Sequence, residues 1–152
     1  MSSVTSNGQG TINYIPDGYT LPVYFKEIPG VHGEFRGRYR PLILLQQGQV
    51  QRELALCDDD WEKRQWVAAR WISQQLVDWS VKRPDGERVE HKDINQIMRL
   101  RPSLFNRLWN VINNQDGGDI DPQQSAYDSR SAREQALAIE PKKPAEQVLE
   151  GN

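Results

Sequence analysis

The 152 residues include only one cysteine and two histidines, and that scarcity removes several chemistries at once. Cys57 has no second thiol in the chain, so an intramolecular disulfide framework is excluded and a reducing compartment fits. With His32 and His91 as the only imidazoles, soft ligands are too few for an ordinary structural zinc site. Long apolar runs are missing as well. No segment approaches the roughly 18 to 20 apolar residues that span a bilayer, and Met1 to Gly10 lacks the basic start and apolar run of a secretory signal, so synthesis in the cytoplasm is expected. Neither charge sign is in excess. Nineteen Lys plus Arg meet twenty-one Asp plus Glu, a formal charge of -2, which gives no global pull toward nucleic acid or an acidic membrane. Neither GxGxxG nor GxxxxGK[ST] occurs, so no dinucleotide cofactor or ATP is assigned.

Apolar residues are 37% of the chain and charged residues 26%, thin core material if every residue were ordered. The length argues for one compact domain with polar ends. The expected division is a flexible amino-terminal arm over 1–9, a principal domain over 10–113, and a linker with a conditional carboxy-terminal helix over 114–152. The fold class expected is α+β, with a small amino-terminal antiparallel sheet packed with a mainly helical central region.

Thr11 to Ile15 and Tyr19 to Phe25 flank Pro16-Asp17-Gly18, a turn signal, and predict a hairpin. Pro22 suits an edge strand. A third strand is predicted over Glu34 to Arg40, where Phe35, Gly37 and Tyr39 alternate with Arg36, Arg38 and Arg40. Aromatics would then face one side and guanidiniums the other, until Pro41 ends the strand. Gln49 to Leu56 is compatible with a helix. The clearest period begins at Asp58-Asp59-Asp60, acids suited to a helix start, and runs through Trp61, Ala68, Ile72, Leu76 and Trp79, with Trp71 widening the stripe. This stripe predicts one long helix that ends before the Arg83-Pro84-Asp85-Gly86 turn. Asp93 to Leu100 predicts a short helix and Pro102 to about Asn113 another, with Phe105, Leu108, Trp109 and Ile112 on its apolar face. Asn114 to Gln124 reads as linker. Ser131-Ala132-Arg133-Glu134 fits a capping box before a short apolar run.

No constellation of side chains identifies a reaction, so the chain is expected to be non-enzymatic, with no catalytic residue, cofactor or metal. His32 among turn residues suits a local hydrogen bond, and His91 in a charged connection suits a solvated imidazole. Acids beside Cys57 disfavour a thiolate. The aspartates at 58–60, 85, 116, 119 and 121 match no calcium-loop spacing and are better explained as turns and caps. The tryptophans at helical spacing are expected to be structural. Trp66 points away from that stripe and is the first choice for an exposed anchor at a protein interface. The stripe of Arg36, Arg38 and Arg40 can present planar forks to carboxylates, and its footprint is narrow for nucleic acid. Arg36, Arg38, Arg40 and Trp66 are therefore the expected protein-binding residues, set against a solvated or intramolecular ionic face as the plainer reading of the arginines.

The order Phe35-Arg36-Gly37-Arg38-Tyr39-Arg40-Pro41, Val77-Asp78-Trp79, Pro84-Asp85-Gly86, Leu100-Arg101-Pro102, Leu104-Phe105 and Leu108-Trp109 resembles small tailed-bacteriophage proteins regarded as tail assembly chaperones. The resemblance covers roughly Phe35 to Asn113. It implies a non-enzymatic assembly factor that binds a tape-measure or tail-tube protein in the host cytoplasm. The amino-terminal hairpin departs from a purely helical chaperone and leaves a structural connector or head-tail component, retained in the virion with other virion proteins as partners, as the alternative.

Overall fold

The computed structural model describes residues 12–123, and a compact unit occupies Ile12–Asp119. The sequence readings on residues 1–11 and 124–152, the arm and the capping-box helix among them, lie outside the described residues. The α+β class holds: a small antiparallel sheet is packed with helices around one core.

Strand β1, Leu21–Phe25, pairs with β2, Phe35–Tyr39, in a register that sets Leu21 opposite Tyr39 and Phe25 opposite Phe35. The period-2 pattern behaves as its chemistry requires. Phe35 and Tyr39 are buried on the core side, with Phe25 stacked on Phe35 at 5.6 Å between centroids, while Arg36 and Arg38 take the other face. The expected hairpin does not form. Tyr19 N–H donates to Pro16 O across the turn, yet residues 12–15 are not a strand, and β1 takes β2 as its partner. The third strand is instead β3, Leu76–Trp79, on the far side of β2.

Between β2 and β3 the chain makes two helices, α1 over Leu44–Leu56 and α2 over Trp61–Gln75. Helix α1 starts earlier than the sequence suggested, because the Gln46 side chain accepts from Ile43 N–H at 3.1 Å and supplies a cap. The Asp60 carboxylate caps α2 as read, accepting from Lys63 N–H at 3.1 Å. The long helix through Trp79 is corrected. It stops at Gln75, where Arg40 N–H donates to Gln75 O at 2.8 Å and the Gln75 side chain donates back to Arg40 O at 2.9 Å, so backbone pairing to the end of β2 replaces the helical ladder. Lys92 Nζ then donates to the Ser73 and Leu76 carbonyls that the helix end leaves over. Register in β3 shifts between Arg38 and Tyr39, leaving Val77 as an extra residue. That bulge lets Leu76 and Trp79, three apart, both face the core, which is why a strand imitated helical spacing.

Helix α3, Ile94–Ile97, begins at an Asp93 cap, and α4, Pro102–Ile112, begins with its proline in the first turn. Leu104, Phe105, Leu108, Val111 and Ile112 of α4 enter the same core as Phe25, Phe35, Ile72 and Trp79. The segment after α4 does not leave the fold at once. Asn114 Nδ2 donates to Leu42 O, and Asp119 N–H donates to Tyr24 O at 2.7 Å, so Gly118 and Asp119 lie against the free edge of β1.

Candidate protein-binding surface

The arginine stripe is divided by its neighbours. Arg36 pairs with Glu34 at 3.0 Å and lies over the Tyr24 ring, 4.8 Å from its centroid, while Tyr24 Oη donates to the other Glu34 oxygen at 2.8 Å. Arg38 sits opposite Asp78 in the sheet and donates to Thr20 Oγ1 at 2.9 Å. Arg36 thus serves an ion pair within the fold, and Arg38 a hydrogen bond to a neighbouring hydroxyl, on the outside of the sheet. Arg40, past the end of β2, is exposed. Trp66 lies on α2, which packs on the core side of the sheet, so it does not share a surface with Arg36 and Arg38. Trp66 is 38% exposed, open enough for contact and partly covered.

The residues weighed for chemistry have local employment. His32 is buried, with Nδ1 2.8 Å from Gly33 O, an acceptor only, so that nitrogen carries the proton. His91 is not the solvated imidazole expected. It packs edge-on to Trp79, and burial lowers its pKa below the usual histidine value, with Lys92 adding to the effect and Glu90 and Asp78 opposing it. Cys57 Sγ donates to Glu53 O at 3.3 Å. Asp85 closes a turn by accepting from Glu87 N–H, and Asp116 accepts from Gly118 N–H at 2.8 Å. Asp119 takes two bonds from Arg107, at 3.1 and 3.2 Å, which hold its carboxyl below the ordinary aspartate range. Burial pushes the Tyr39 phenol up to about 12. Among the described residues no three His, Cys, Asp or Glu side chains are grouped to hold a metal ion, and no helix is long and apolar enough to cross a membrane.

The surface the sequence reading missed is the outward side of the α1–α2 hairpin. Leu44, Leu45 and Leu56 on α1 are 84%, 71% and 84% exposed, and Trp61 at the start of α2 is 71% exposed. The helical period places Trp61 in the buried stripe. It does continue the line of Ala68 and Ile72, but one end of α2 runs past the core and carries the ring with it. The rotation of α1 is fixed from inside. Val50 is fully buried, Leu54 packs against the core, and Glu53 accepts hydrogen bonds from Arg70 and from Trp71 Nε1, the latter at 2.8 Å. Arg64 donates to Leu54 O at the carboxy-terminal end of α1. With positions 50, 53 and 54 turned inward, 3.6 residues per turn places 44, 45, 48, 52, 55 and 56 outward. The available signal was that split: the apolar residues of α1 fall on two opposed faces rather than one.

Comparison with known proteins finds no family model, no curated protein and no solved structure that matches the chain. The bacteriophage, virion and tail-assembly identity implied by the resemblance is therefore withdrawn. The motifs that carried it have local explanations. Phe35 to Tyr39 is a strand, Val77-Asp78-Trp79 a bulged strand, Pro84-Asp85-Gly86 a turn, and Arg101-Pro102 a helix start.

Proposed function

We propose that this chain is a non-enzymatic protein-binding module whose contact surface is the outward side of the α1–α2 hairpin. The observation that carries the reading is where exposure falls. Of the six large apolar side chains more than two-thirds exposed among the described residues, four, Leu44, Leu45, Leu56 and Trp61, lie on one hairpin and two, Tyr14 and Ile120, lie elsewhere, while Val23, Phe25, Ile72, Leu108 and Ile112 are sealed inside. Scattered apolar residues on a surface are ordinary, but three leucines on one outward helix face, with an exposed aromatic ring at the start of the next helix, are the composition of an interface core. Trp61 supplies the anchor type that dominates binding energy, and the leucines supply shape. Trp66, five residues beyond Trp61 and so about 140° around α2 from it, lies off this surface; Arg36, paired with Glu34, and Arg38, bonded to Thr20, add little.

A photo-crosslinking amino acid at Leu45, in cells that make the protein naturally, should yield a discrete adduct that Leu56→Asp abolishes. The same probe at exposed Arg83 should yield none. No adduct at Leu45, or an equal one at Arg83, would reject the reading.

A further inference from the structure

We propose that the partner of the outward α1 face is a second copy of this chain, with the two α1 helices antiparallel about a two-fold axis at the level of Val50. The inference rests on the protein-binding reading and names its partner. The order of residues along the helix supports it first. About Val50 the positions are close to mirror-related: Leu44 corresponds to Leu56, Leu45 to Ala55, Gly48 to Arg52 and Gln49 to Gln51. In a two-fold interface residue i of one copy meets residue j of the other and the reverse, so an antiparallel pair sets leucine against leucine or alanine at both ends. Polar residues and a glycine then occupy the middle.

Charge decides between the two directions. A parallel pair would place Arg52 against Arg52 and bring two Asp58-Asp59-Asp60 runs together. An antiparallel pair sets each Arg52 over the partner copy's Gly48, where nothing lies within 4 Å of the space a Cβ would fill. It also brings each acidic run toward the first turn of the other copy's α1. That turn holds no acidic residue of its own, and its unpaired amides favour negative charge. Gly48 is otherwise hard to justify inside a helix, since its own chain makes no use of the missing side chain; close approach of a second helix does. The formal charge of -2 offers little repulsion between copies.

The face is small. Thirteen residues make a helix about 20 Å long, and pairing two such faces buries on the order of 1,000 Å², the lower bound for a specific interface. Interfaces of that size belong with weak, transient contacts, so the association is sought at micromolar concentrations and above.

Sedimentation velocity on the full chain from about 1 to 500 µM tests the association. The mass should rise from monomer toward dimer, and Leu44→Asp or Leu56→Asp should hold it at monomer across the range with helix content unchanged. Orientation is read by disulfide capture in a Cys57→Ser background. A mixture of Leu44→Cys and Leu56→Cys chains should form the mixed disulfide at least about tenfold faster than either variant alone, as facing positions require. A monomer at every concentration, a dimer that survives both aspartate variants, or faster capture within each variant alone would overturn the inference. A monomer whose Leu45 probe still captures a different protein would sink this inference and leave the binding reading standing; no capture at all would sink both.

Discussion

The segment after α4 is clasped to the fold at Asp119, and the strength of that clasp can be worked from the geometry. Asp119 accepts from both Arg107 terminal nitrogens at 3.1 and 3.2 Å and from Lys26 N–H at 2.9 Å, while its own N–H donates to Tyr24 O. The two side chains are 24% and 26% exposed, so solvent screens the pair only in part. Removing the carboxylate by Asp119→Ala deletes two charge-assisted bonds and leaves the Lys26 amide at a strand end without its acceptor, about 2 kcal/mol together. The loss is limited because Arg107 keeps Asp116 at 3.8 Å and stays over the Phe25 ring, 4.2 Å from its centroid. Arg107→Ala removes that cover as well and should cost about 3 kcal/mol. A double-mutant cycle from urea unfolding, followed by tryptophan fluorescence, should give a coupling energy of about 1 to 2 kcal/mol. The pH dependence has a fixed sign. The Asp119 carboxyl titrates below its unfolded value, so its contribution is complete above the ordinary aspartate range and is lost as pH falls through the lowered folded value. A coupling energy below about 0.3 kcal/mol, or Asp119→Ala within about 0.5 kcal/mol of wild type, would refute this reasoning.

Three further outcomes follow from the packing. His91 titrates below its usual value, so the neutral form is complete above the unfolded pKa and stability declines as pH falls from there through the folded value; melting temperatures at neutral and mildly acid pH should converge in His91→Leu relative to wild type. Gly118→Ala should destabilise by about 2 kcal/mol in chemical unfolding, because its φ of +81° disfavours a side chain and the new Cβ would stand 3.0 Å from Tyr24 O. Glu53→Leu should cost about 2 kcal/mol by stranding Trp71 Nε1, and hydrogen exchange should show α1 losing protection before β2, whereas Glu53→Gln, which keeps an acceptor, should cost about half as much.

Much of the fold was legible because local chemistry and tertiary structure agree there. Asp60 and Asp93 cap the helices they precede, Pro102 opens α4, and the alternation of Phe35, Gly37 and Tyr39 with arginines sorts β2 into a core face and an outer face. What was not legible depends on distant partners. Nothing near Gln75 announces that Arg40 will take over its backbone bonds, and a bulge at Val77 reproduced the i, i+3 spacing of a helix in Leu76 and Trp79. The turn at Pro16-Asp17-Gly18 was correct in kind, but β1 found its partner across a longer connection. That loop is itself anchored from α4, where Arg101 donates to the Gly30 and Val31 carbonyls at 2.8 Å each. The candidate surface was less legible than the fold. Period counting finds the side that is buried, and α1 carries apolar residues on both sides.

That two-sidedness also bears on why the leucines stay outside. Turning α1 to bury Leu44, Leu45 and Leu56 would recover about 1.5 to 3 kcal/mol for each side chain that became fully buried. The same turn would bring Val50 and Leu54 into water, break the Glu53 bonds to Arg70 and Trp71, and release Arg64 from Leu54 O. It would also set Gly48 and Arg52 toward a core that neither can fill. The observed rotation keeps the polar brace satisfied and leaves the leucines in solvent, where the single chain gains nothing from them. Self-association as proposed would give those positions a stabilising role.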